Sequence, residues 1–127
     1  MSDVLYSAVV LDGQSKQKLI NEFGQYFPEE WKVYAHHQTI NLGDINPEYE
    51  RYLGMKVKLR VEELGISDKA IAVKVSGFYT MNKIPHVTLA VNVNEGGKPV
   101  MSNQITNWQP VDNKFDIFGI VEEIKKR

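Results

Sequence analysis

The sequence predicts an α+β domain in which antiparallel strands dominate and one long helix packs against them, and three observations carry that prediction. Residues 15–27 are the one stretch whose apolar side chains, Leu19, Ile20, Phe23 and Phe27, recur at helical spacing. Residues 55–64 alternate strictly, with Lys56, Lys58, Arg60 and Glu62 on one face and Val57, Leu59 and Val61 on the other, as a half-exposed strand requires. The chain has 127 residues, 43% hydrophobic and 24% charged, with no linker or low-complexity stretch, so residues 1–127 read as a single domain large enough to bury a core without staples.

The elements follow in order. Val4 to Leu11 reads as a buried strand ended by the turn pair Asp12-Gly13, and Ser15 is placed to cap the helix that Pro28 closes. Residues 31–42 read as one continuous strand, with Val33, Ala35, His37, Thr39 and Asn41 on one side and Tyr34, His36, Gln38, Ile40 and Leu42 on the other. That alternation sets His36 opposite His37. Residues 43–54 form a loop with one helical turn at 47–50, opened by Pro47. After the alternating strand, residues 70–79 form another, and Thr80, Met81, Asn82 and Lys83 lead into Pro85. A proline cannot donate to a sheet ladder, so the next strand starts at His86, with His86, Thr88, Ala90 and Asn92 on one face. Residues 94–97 make a turn, 98–108 open with a short helix, 115–121 supply a final strand, and 122–127 are a charged tail.

Two segments repeat one pattern: His37-Gln38-Thr39-Ile40 and His86-Val87-Thr88-Leu89. Residues i and i+2 of a strand share a face, so each histidine points the same way as its threonine. A duplicated His-x-Thr therefore suggests one site built from two halves. One imidazole takes a proton while the other gives one, and the hydroxyls of Thr39 and Thr88 hold an anionic group between them.

Other chemistries fit less well. The chain has no cysteine and three histidines, His36, His37 and His86, so a zinc site would need all three or an added carboxylate, and no metal or cofactor is expected. Neither Gly-x-Ser-x-Gly nor a phosphate-binding glycine loop occurs. A formal charge of −1 supplies no basic field for duplex binding, which favours a nucleotide or short RNA recognised locally. No apolar run nears the roughly 18 residues of a membrane span. With no cysteine framework either, the expected location is the cytoplasm, without a membrane partner.

On these motifs the chain resembles the 2H phosphoesterase superfamily, which includes RNA 2′,3′-cyclic phosphodiesterases. The run from His86 through Lys98-Pro99-Val100-Met101-Ser102-Asn103 is also similar to the cyclic phosphodiesterase regions of fungal and plant-type tRNA ligases and to small phage-type RNA-repair-like proteins. The resemblance implies a two-lobed antiparallel-sheet domain, here with a reduced second lobe. It implies metal-independent opening of a cyclic nucleotide, a cyclic oligonucleotide or an RNA 2′,3′-cyclic phosphate end, with His37 and His86 as acid and base and Thr39 and Thr88 on the phosphate oxygens. The alternative is a non-catalytic nucleotide- or RNA-binding module that keeps the pocket. Tyr6 and Tyr79 are the aromatics expected to stack on a base, and Lys98 and Ser102 the groups expected to add phosphate contacts.

Overall fold

The computed structural model describes residues 3–126. Its strands are β1 (Val4–Leu11), β2 (Lys32–Val33), β3 (His37–Leu42), β4 (Lys56–Ile66), β5 (Ala70–Ser76), β6 (His86–Val91) and β7 (Trp108–Lys125), with one α-helix, α1 (Gly13–Phe23). All the strands join a single sheet in the order β2-β6-β5-β4-β7-β1-β3, every pairing antiparallel. The α+β class predicted from the sequence is the one observed.

Helix α1 starts two residues before its expected cap. Asp12, not Ser15, closes the N-terminus, its carboxylate accepting the Ser15 N–H at 2.7 Å. Ser15 is buried, and its hydroxyl accepts the Phe118 N–H at 2.8 Å, which ties the helix to β7. Leu19 and Phe23, one turn apart, are buried against the sheet, each such side chain contributing about 1.5–3 kcal/mol. Beyond Phe23 the chain tightens into a 3-10 turn at Gly24–Tyr26 and stops before Pro28.

The alternation in β4 sorts as expected, with Val57, Leu59 and Val61 buried and Lys56, Lys58 and Arg60 exposed. Strand β5 ends sooner than expected. Gly77 has φ +128°, and a Cβ there would lie 2.5 Å from the Lys58 carbonyl oxygen, so the chain needs glycine to pass. Strand β7 is longer than expected at both ends. Its first part pairs with β4, Val111–Lys114 bulge out between Pro110 and Phe115, and residues 122–125 pair with β1 instead of forming a tail. Glu123 also accepts the Ile45 N–H at 3.0 Å, so this acidic residue is bonded into the fold.

The main departure lies in residues 31–42, which are not one strand. Tyr34 and Ala35 donate to the Leu89 and Thr88 carbonyls of β6, at 2.7 and 3.0 Å, and the very next residue, His36, accepts from Leu11 of β1 at 2.9 Å. The chain thus crosses from one edge of the sheet to the other at Ala35, which is fully buried with φ +46°. A left-handed conformation costs an L-residue about 1–2 kcal/mol, which the hydrogen bonds on either side offset. The crossing brings β3 and β6 into contact although they lie far apart in strand order. The two lobes that the resemblance implies are therefore two halves of one curled sheet, with a cleft in the gap between them.

Candidate active site

Both His-x-Thr pairs line one cleft of about 580 Å³, His37 and Thr39 from β3 and His86 and Thr88 from β6. The intervening side chains point the other way: Gln38, Ile40, Val87 and Leu89 are fully buried. Sheet alternation thus separates a cleft-lining face from a packed one on each strand.

Each imidazole is held by its Nδ1. His86 Nδ1 lies 2.7 Å from the Ile84 carbonyl, which can only accept, so this nitrogen carries the proton and Nε2 is left for a ligand. His37 Nδ1 lies 2.9 Å from Nδ1 of His36, with the two rings at 83°, and the Tyr6 ring stacks on His37 with centroids 4.8 Å apart. Burial pushes the His37 pKa down to about 4, helped by the nearby His36 and His86. The His86 pKa is also lowered by burial, and its bond to Ile84 opposes that shift.

A depressed histidine pKa has a consequence for stability. Between pH 6.5 and about 4 the unfolded chain protonates His37 and the native protein does not, so the unfolded state binds more protons and stability falls as pH drops. The expected loss from this group over that window is at most about 3 kcal/mol. Denaturant titrations at pH 7, 5.5 and 4 should show a smaller loss in His37→Gln than in the parent chain; equal slopes would contradict the assigned burial.

The two threonines differ. The Thr88 hydroxyl is 2.8 Å from that of Ser102 and 3.3 Å from the Pro99 carbonyl, whereas Thr39 has no protein partner for its hydroxyl among the described residues. Ser102 is fully buried behind Thr88 and supports that threonine. Tyr6 stands in the cleft wall as expected. Tyr79 does not: its ring stacks on Tyr49 at 4.4 Å and 9°, in an aromatic group with Phe78 and Tyr52. Lys98 is exposed at the start of the 3-10 turn Pro99–Gln104, from which Pro99, Val100 and Asn103 face the cleft in its place.

Sequence reasoning missed His36, Tyr34, Asn82 and Asn103, which also line the cleft. His36 was set on the opposite face because the break at Ala35 carries no turn-forming residue type. Among the described residues the lining includes no lysine, arginine or carboxylate, and no group of three or more histidines and carboxylates is placed to hold a metal ion. No helix among them is long and apolar enough to cross a membrane.

A curled antiparallel sheet carrying this cleft is accompanied by a match, over residues 15–122, to a family of phosphodiesterase domains. The chain belongs to that family, the fungal tRNA ligase phosphodiesterase domain. No curated protein matches the chain.

Proposed function

We propose that this protein is a metal-independent phosphodiesterase that opens a 2′,3′-cyclic phosphate on a nucleotide or short RNA end. The observation that carries the reading is the meeting of both His-x-Thr pairs in one cleft, each histidine anchored through Nδ1 with Nε2 left over. In the reaction, water attacks phosphorus and one histidine takes its proton. The P–O bond to one ribose oxygen breaks, and the other histidine protonates that oxygen, leaving a phosphomonoester. His37, held neutral by burial, suits the base; His86 is the better placed of the two to act as the acid, because its bond to the Ile84 carbonyl opposes the lowering of its pKa by burial. Thr39 and Thr88 donate to the non-bridging oxygens as charge builds on them.

The uncharged lining supports a cyclic diester as substrate. A cyclic phosphate carries one negative charge, which a single imidazolium neutralises, whereas the phosphomonoester product carries nearly two at neutral pH and finds no fixed cation. Tyr6 and Tyr34 offer aromatic surface for the base. The test is a panel of 2′,3′-cyclic mononucleotides, cyclic-phosphate RNA ends, cyclic dinucleotides and 3′,5′-cyclic mononucleotides, assayed with EDTA. Turnover of the 2′,3′-cyclic substrates in EDTA is expected. Activity that EDTA abolishes and a divalent cation restores would refute the metal-independent reading, and binding without turnover would favour a non-catalytic module.

A further inference from the structure

We propose that His36 is a positioning residue whose Nδ1 accepts a hydrogen bond from Nδ1–H of His37, fixing the tautomer that leaves His37 Nε2 bare for proton abstraction. This rests on the paired-histidine reading given above. The Nδ1–Nδ1 contact at 2.9 Å needs one proton between two lone pairs. If His36 supplied that proton, a neutral His37 would carry its own on Nε2 and present a donor to the cleft, which cannot act as a base. With the proton on His37 Nδ1, Nε2 is the lone pair. The same ring can then become an imidazolium without breaking the contact.

Two features of the fold favour this assignment. In a regular strand, neighbouring side chains point to opposite faces, and the turn at Ala35 is what lets His36 and His37 meet edge to face on the same side. The arrangement also repeats that of His86, whose Nδ1–H is taken by a backbone carbonyl. The titratable groups around the His37 ring are Tyr6 from β1, His36 from the crossing segment and His86 from β6, and Tyr34 lines the same cleft. None is a carboxylate, so the neighbouring imidazole is the acceptor at hand. For metal-ligating histidines, loss of the acceptor that orients the ring costs on the order of tenfold to a hundredfold, and the same order is expected here.

The test uses His36→Phe, which keeps a ring and removes the acceptor, and His36→Asn, whose amide oxygen replaces it. Nitrogen-15 NMR of the ligand-free protein at pH 7 should show His37 protonated at Nδ1 in the parent chain and in His36→Asn, and a mixture of tautomers in His36→Phe. On a 2′,3′-cyclic mononucleotide, His36→Phe should lower kcat by about tenfold to a hundredfold with KM changed less than about threefold, and His36→Asn should restore most of it. A parent His37 protonated at Nε2, or an unchanged kcat in His36→Phe, would overturn the proposal. His37→Ala and His86→Ala run alongside: if they too keep full activity, it is the paired-histidine reading that fails, and the tautomer measurement still decides what His36 does.

Discussion

Replacing His37 or His86 by alanine is expected to lower turnover of a 2′,3′-cyclic phosphate by about two orders of magnitude or more, and replacing both is expected to cost little beyond either alone. The two imidazoles line one cleft, and in the proposed reaction they share the proton transfers, so removing one leaves the other without its complement. Two orders of magnitude correspond to about 3 kcal/mol of transition-state stabilisation. A stability loss is also expected at His86, because its removal leaves the Ile84 carbonyl short of a partner at a cost of about 1–3 kcal/mol. Rates are therefore to be compared well below each variant's Tm, where the protein is fully folded. Near-normal rates in either purified single variant would move the chemistry out of this cleft. Strict multiplication of the two losses would show that the histidines act on separate steps.

The parts of the fold legible in the sequence are those fixed by local periodicity. The alternation of Lys56 to Glu62 fixed the faces of β4, Pro85 fixed the start of β6, and the spacing of Leu19 and Phe23 fixed the buried side of α1. What was not legible depended on partners distant in sequence. Residues 122–125 look like a polar tail until β1 pairs with them, because a strand at a sheet's surface is free to carry charges outward. Ala35 carries no signal for its left-handed backbone, since glycine or asparagine would normally mark such a turn. Missing it joined β2 and β3 into one strand, and that error alone moved His36 to the wrong side.

The same division runs through the site. His37, Thr39, His86 and Thr88 were readable because spacing of two residues in a strand determines a shared face, whatever the tertiary structure does. Tyr6 came with them, being on a strand that pairs with β3. Tyr79 and Lys98 depended on where a loop and a 3-10 turn point, which no period encodes. Tyr79 found Tyr49 as a stacking partner, and the Pro99–Gln104 turn presents Pro99, Val100 and Asn103 to the cleft. Ser102, expected as a phosphate contact, lies 2.8 Å from the Thr88 hydroxyl, a pairing across 14 residues that no local pattern encodes.

That partnership makes the threonines respond differently to one substitution. Thr→Val keeps shape and removes the donor, so Thr39→Val is expected to lower kcat by about tenfold to a hundredfold, with KM and Tm nearly unchanged, because the Thr39 hydroxyl has no protein partner among the described residues to lose. Thr88→Val should lower kcat similarly and also lower Tm. It leaves the buried Ser102 hydroxyl without its 2.8 Å partner, at a cost of about 1–3 kcal/mol. Removing both polar partners is often close to neutral, so adding Ser102→Ala to Thr88→Val should recover much of the Tm and none of the rate. Enzyme kinetics and thermal melts on these three variants separate the two roles of Thr88. If both valine variants keep the parent kcat and only Tm moves, the hydroxyls serve the fold, and the contacts to the phosphate oxygens must come from other groups in the cleft.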